Sequence, residues 1–287
     1  MKITFIGLGI MGSRMASHLL ENGLDLTVYN RSAPPQEALA AKGAKTATSA
    51  VEAVAEADLV ISMLSTPEVV EALFFGEDGL LSAMPKGAIW ADCSTVNPSF
   101  SLRAAQAATA AGIQFVDAPV AGSKPQAAAA QLAFFVGGSQ ALFQRVEPIF
   151  QQMGAKVLHV GETGKGASFK MLVNAMLAQS MILFSESVLL GEKLGLSKDF
   201  LLDTLPKLPV VAPFTQFKTA MIKDNDYEVQ FPLELMYKDL HLAAMTAYEH
   251  DQPLHLANAA KELYAAAKHR GMGRLDFAAI HRYLERG

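Results

Sequence analysis

The sequence predicts an α/β protein in two parts. A doubly wound domain on a mostly parallel sheet covers residues 1–163, and an all-helical domain covers residues 164–287. Three observations predict this. Up to about residue 161, short β-rich runs alternate with helical stretches in the manner of βαβ units. After Gly166 no strand pattern appears, and Pro206, Pro209, Pro213, Pro232 and Pro253 punctuate segments that all read as helix. Between the two lies GETGKG, residues 161–166, which has no apolar residue.

Taken in order, KITFI (residues 2–6) is the first strand and ends at Gly7. Residues 11–22 form a helix closed by Gly23, and LDLTVYN (24–30) is the second strand. Residues 36–42 form a helix closed by Gly43, and Ser49 caps a helix over 50–55. DLVISML (58–64) is apolar throughout, as a strand buried on both faces should be. A helix over 67–75, a strand over 87–93 (GAIWADC) and a helix from Asn97-Pro98 to residue 111 follow. IQFVDAP (113–119) and LAFFVGG (132–138) are strands, residues 140–153 a helix, and KVLHVG (156–161) the last strand.

Composition limits the function classes. Hydrophobic residues make up 51% of 287 and charged residues 18%, which describes a globular chain. A net charge of −4 provides no basic footprint for nucleic acid and no polybasic patch for a membrane. The lone Cys93 excludes an intrachain disulfide and fits a reducing, cytoplasmic setting. Residues 1–6 are too short an apolar run for a secretory leader. The seven histidines show no ligand spacing, so no metal site is expected. Residues 171–190 are long enough to span a bilayer, but Asn174, Gln179, Ser180, Ser185 and Glu186 interrupt them. They read instead as a central helix covered by other helices or by a second subunit, which predicts a homodimer or homotetramer.

The first strand runs into GLGIMG, in which Gly7, Gly9 and Gly12 fit G-x-G-x-x-G. A strand before it and a helix after it give the motif meaning: this is the dinucleotide turn of a Rossmann domain. Gly7 permits the tight turn, Gly9 lets a pyrophosphate approach the backbone, and Gly12 lets helix pack on strand. With Leu8, Ile10 and Met11 these residues form the cofactor-binding turn, at a helix N-terminus suited to phosphate. At the end of the second strand, an NAD site usually carries an acidic residue for the ribose 2′-hydroxyl. Here the residues are Asn30-Arg31-Ser32, and the guanidinium of Arg31 suits a 2′-phosphate. The residues alone leave a surface arginine in a turn as the other reading. The first reading predicts NADP, with NADPH preferred over NADH.

In GKGASFKMLVNAML, Lys170 and Asn174 lie one turn apart on an apolar helix. Burial would disfavour the ammonium and bring its pKa toward working pH, which suits a proton donor. A lysine that snorkels to solvent at the helix start fits the same residues.

Four ordered segments, GLGIMGSRMASHLL, DAPVAGSKPQAAAAQL, GKGASFKMLVNAML and FPLELMYKDLHLA, resemble the β-hydroxyacid dehydrogenase family over essentially the whole chain. Within it, GSKPQ and GMGRLDFAAI are similar to the glyoxylate/succinic semialdehyde reductase branch. The resemblance implies Lys170 as the catalytic proton donor or acceptor and Asn174 as the residue orienting substrate or lysine. It implies Met63, Leu64, Ser65 and Val69 along the cofactor, Thr95 beside both nicotinamide and substrate, and Lys238 reaching the cofactor. Ala121, Gly122, Ser123, Phe231 and Asp239 fall on the substrate side. The family commonly has serine where this chain has Ala121, and the later glycine pattern of that loop reads PQAAAAQL. A hydroxyl donor to the substrate carboxylate is thereby lost.

The implied activity is an NADPH-dependent reductase of short aldehyde or 2-oxo acids such as glyoxylate and succinic semialdehyde. Alternatives are a 3-hydroxyisobutyrate or tartronate semialdehyde enzyme, an imine reductase, or a non-catalytic dinucleotide-binding module. The presence of Lys170 and Asn174 argues against the last. The active site is expected in the cleft between the two domains.

Overall fold

The structure, a computed structural model, describes residues 1–286. Its contacts divide into two units, Met1–Lys170 and Met171–Gly287. This division lies a few residues beyond the expected one at 163/164. The reason is local: Gly164, Gly166 and Ala167 are buried, and Phe169 sets its ring edge-on to Phe135, 4.8 Å between centroids. The start of the long helix thus belongs with the first unit.

The first unit is a nine-stranded, mostly parallel sheet: β1 (Lys2–Ile6), β2 (Asp25–Tyr29), β3 (Lys45–Thr46), β4 (Leu59–Ser62), β5 (Ile89–Asp92), β6 (Gln114–Asp117), β7 (Val120–Ala121), β8 (Leu132–Gly137) and β9 (Gly154–Gly161). The order is β3-β2-β1-β4-β5-β6-β8-β7, with β9 also paired to β8. Strands β1 to β6 are parallel neighbours, whereas β8 runs antiparallel to β6 and β7. Side chains alternate between the two sheet faces. Phe5, Ile61, Ala91 and Val116, one row of the register, face one core. Val60, Trp90 and Phe115, the next row, face the other, where Trp90 stacks on Phe74 at 4.1 Å.

The register places Ile6, Ser62, Asp92 and Asp117 in a single row. Four strands therefore end level, and the segments that follow them emerge at one edge, where open α/β sheets bind ligands. The helix expected over 36–42 occupies Ala33–Ala40 instead. Pro34 and Pro35 fall in its first turn, where a missing N–H costs nothing, so they start the helix rather than block it. Two further elements, β7 and the five-residue helix Lys124–Ala128, lie where only loop was expected. In the altered loop Ala130 adopts φ +52°, a left-handed conformation that costs a non-glycine residue roughly 1–2 kcal/mol.

The second unit is helical, as expected: among the described residues it holds no strand beyond an isolated Pro232–Asp276 bridge. Its principal helices are the part of Lys165–Lys193 from Met171 onward, Leu233–Glu249 and His255–Ala267. On the first of these Met171, Asn174, Ala178, Met181, Ser185 and Val188 are buried. Their spacing of three and four residues marks the inward seam of the helix. Met181, Phe184, Leu202, Leu240 and Tyr264 share one core. By length and composition this helix could cross a membrane, the one such helix among the described residues, with 39% of its most apolar window buried.

Candidate active site

The glycine turn follows directly from β1. Gly7 has φ +95°, and a Cβ there would lie 2.4 Å from the Met63 carbonyl oxygen. At Gly12 a Cβ would lie 1.9 Å from the Gly7 carbonyl oxygen. Both glycines are thus demanded by the chain's own packing. Gly9 is different: it is exposed, its φ is ordinary, and nothing lies within 4 Å of the position a Cβ would take. The fold does not require glycine there, and the open backbone leaves room for a pyrophosphate to approach.

A cavity of about 520 Å³ opens at this turn. It brings together Gly7 and Gly9, then Asn30, Arg31 and Ser32, then Met63, Leu64, Ser65 and Val69. Leu8, Ile10, Met11 and Gly12 do not line it. Leu8 is buried in the core, and its N–H donates to Asn30 Oδ1 at 2.9 Å. Asn30 Nδ2 donates to Ser32 Oγ at 2.8 Å and to the Ser32 carbonyl at 3.2 Å. The side chain of Asn30 therefore ties the glycine turn to the end of β2. Arg31 is exposed at the same place and lines the cavity. Replacing Gly9 by alanine should leave thermal stability unchanged and weaken NADPH binding at least tenfold. A fluorescence titration with unchanged affinity would show that no ligand approaches there.

The segments after β4 and β5 are fixed by a buried polar cluster that sequence reasoning did not single out. Ser62 Oγ donates to Asp92 Oδ1 at 2.8 Å, and Trp90 Nε1 donates to Ser62 Oγ at 2.8 Å. The Ser94 N–H reaches Asp92 Oδ1 at 3.1 Å, and Ser94 Oγ accepts from the Leu64 N–H at 2.9 Å. This network holds Met63–Ser65 and sets half-buried Thr95 just beyond it. Cys93 packs here as a buried hydrophobe, its thiol pushed up by burial.

In the loop after β7, Gly122 adopts φ +114°. Ser123 directs both its N–H and its hydroxyl to Gln126 Oε1, at 3.0 and 3.1 Å. With Ala121 in place of serine, neither side chain leaves a donor directed away from the loop.

Lys170 is only 6% exposed, and Asn174, one turn on, is 2% exposed. The lysine does not snorkel to solvent. Within the second unit Asn174 Nδ2 donates to Asp239 Oδ2 at 2.5 Å, while Lys238 Nζ stands 2.9 Å from Asp239 Oδ1. Asp239 is buried, and Asn174 Oδ1 is buried without a hydrogen-bond partner. That bare acceptor on the face shared with Lys170 is the sort of exception expected at a functional site. Phe231 is held through its N–H, which donates to Asp276 Oδ2 at 3.0 Å. Asp276 is itself buried and paired with buried Lys218 at 2.9 Å. Neither residue carries a motif, so only the structure reveals them. No group of three or more His, Cys, Asp or Glu side chains suited to a metal occurs among the described residues.

A family model for the NAD binding domain of 6-phosphogluconate dehydrogenase matches residues 2–161. One described as NAD-binding of NADP-dependent 3-hydroxyisobutyrate dehydrogenase matches residues 164–284. The chain belongs to the 3-hydroxyisobutyrate dehydrogenase family. Glyoxylate/succinic semialdehyde reductase 1 of Arabidopsis thaliana is 36% identical over 98% of this chain and 97% of its own length. The 3-hydroxyisobutyrate dehydrogenase of Pseudomonas aeruginosa is 34% identical over 99% and 98%. Among solved structures, the Mycobacterium tuberculosis 3-hydroxyisobutyrate dehydrogenase with L-serine superposes with a TM-score of 0.87, at 32% identity, covering 99% of this chain and 98% of that one. The protein is accordingly an NAD(P)-dependent oxidoreductase of the hydroxyacid dehydrogenase/reductase type, acting on CH–OH or carbonyl groups.

Proposed function

We propose that this member of the family is an NADPH-dependent reductase of short aldehyde acids, with glyoxylate and succinic semialdehyde as substrates and Lys170 as the proton donor. The observation that carries it is Lys170, buried on one helix face with Asn174. The Arabidopsis relative named for those two substrates supports the choice of substrate class. When bound, the nicotinamide supplies a hydride to the carbonyl carbon. Lys170 supplies a proton to the carbonyl oxygen and, as an ammonium in apolar surroundings, stabilises the charge that develops there. Asn174 offers its bare Oδ1 to the substrate hydroxyl or to the lysine, and Asp239 fixes the orientation of its amide. Thr95 and the Gly122–Ser123 loop orient the substrate. Arg31 reads the 2′-phosphate.

One observation favours a second reading. Ala121 has no hydroxyl, and Ser123 spends both donors on Gln126. A loop so poor in donors suits a substrate without a carboxylate, such as an imine. A panel of glyoxylate, succinic semialdehyde, tartronate semialdehyde, 3-hydroxyisobutyrate and a cyclic imine, followed by NADPH absorbance, separates the readings. Turnover of the imine with none of the aldehyde acids would sink the first.

The protein acts as a homodimer or homotetramer in the cytoplasm, without nucleic acid or membrane. Leu172, Met176, Leu183 and Leu190 are each more than 60% exposed along one stripe of the lysine helix, opposite its buried seam. Such a patch marks a contact surface, and a second copy of this helix is its natural cover. Sedimentation at micromolar concentration should give at least a dimer, and a monomer would remove the claim.

A further inference from the structure

We infer that Asp117 is a positioning residue for Lys170: its buried carboxylate clamps the first turn of the lysine helix and so fixes where the ammonium sits. Asp117 ends β6 and is 1% exposed. Its Oδ1 accepts the Gly164 N–H at 2.7 Å, and its Oδ2 accepts the Ala167 N–H at 2.7 Å. These two N–H groups flank the start of the Lys165–Lys193 helix and are among those no helix can satisfy internally. Charge-assisted bonds at both oxygens fix the helix in position and in rotation, which a single cap cannot do. The carboxylate also meets the positive end of the helix dipole. Lys170 follows Ala167 by three residues, less than one turn, so little slack separates the clamp from the ammonium.

The surroundings are shaped to this carboxylate. A Cβ on Gly137, at the end of β8, would lie 2.5 Å from Asp117 Oδ1. One on Gly166 would lie 2.2 Å from the Phe135 carbonyl and 2.9 Å from Asp117 Oδ2. Two glycines thus let β8 and the helix start close over the group. Burial pushes the Asp117 carboxyl up to about 6, and its bonds to the Gly164 and Ala167 N–H groups pull the other way. A stabilising cap has no need of so much burial, and an exposed serine or aspartate normally suffices. A buried clamp fits a helix whose placement matters more than its stability.

The inference rests on the reading of Lys170 as the proton donor, and a double-mutant cycle separates the two. Asp117→Asn preserves shape but replaces one acceptor oxygen with an N–H donor. It should lower kcat with glyoxylate about 10²-fold, the effect of displacing a catalytic group by about 1 Å, with the Kd for NADPH unchanged. In a Lys170→Ala background the same change should cost less than about threefold, because there is no ammonium left to misplace. Gly137→Ala, which keeps the carboxylate and crowds Oδ1, should show the same dependence on Lys170 and serves if Asp117→Asn does not fold. A near-normal kcat in both variants would overturn the inference, as would equal losses with and without Lys170. Lys170→Ala with near-normal turnover would instead overturn the reading of Lys170, and this inference with it.

Discussion

Lys170→Ala is expected to lower kcat by about 10²–10⁴-fold, the usual contribution of a positioned general acid, while NADPH binds as before. The two jobs use different residues. The cofactor cavity is lined by the glycine turn, Asn30 to Ser32 and Met63 to Val69, and Lys170 is not among its residues. A residue that acts only as charge develops on the substrate oxygen affects kcat and kcat/KM together and leaves ground-state binding alone. Lys170→Arg should not restore turnover, since a guanidinium keeps its proton near neutral pH and cannot deliver it. Steady-state kinetics with glyoxylate and succinic semialdehyde, with fluorescence titration of NADPH, check both halves. A variant retaining more than about a tenth of normal turnover falls outside the general-acid range and would make Lys170 a structural residue.

The sheet was legible because its rules are local. The apolar runs of β1, β2, β4, β5 and β6 each stand between a helix and a turn signal, and side chains alternate between two covered faces once the strands are parallel; the two-residue β3, polar and exposed, gave no such signal. The antiparallel entry of β8 was not legible, since LAFFVG is apolar enough for either direction and a strand's direction depends on its partners. The glycine turn was legible as a motif, but the separate reasons for its glycines were not. Only the geometry shows that the chain's own packing demands glycine at Gly7 and Gly12 but not at Gly9. Lys170 and Asn174 could be seen as misfits on an apolar helix. Asp92, Asp117 and Asp276 could not, because each is a single acidic residue that acts on backbone N–H groups or hydroxyls distant in sequence. Sequence spacing exposes side chains that work in a set. It does not expose one carboxylate enclosed by the tertiary fold.

Arg31→Ala should raise the KM for NADPH about 10- to 100-fold, the range of a lost charge-assisted contact to phosphate, and should leave the KM for NADH almost unchanged. The argument turns on what else could read the ribose at the end of β2. A carboxylate there would favour a 2′-hydroxyl and repel a 2′-phosphate, and none is present at residues 30–32. Asn30 cannot take over. Its amide oxygen is committed to the Leu8 N–H and its amide nitrogen to Ser32, so it braces the turn. Ser32 Oγ already accepts from that same amide. Arg31 is the cation lining the cavity, and the proposed preference for NADPH therefore rests on it. Arg31→Lys should recover part of the loss, because an ammonium keeps the charge but not the planar fork that grips two oxygens at once. Raising the ionic strength should narrow the difference between wild type and Arg31→Ala, since an exposed charge is screened by salt. The check is a set of KM values for both cofactors at low and high salt. Equal changes for NADPH and NADH would mean that Arg31 contacts a part common to both, and that the cofactor preference has another origin.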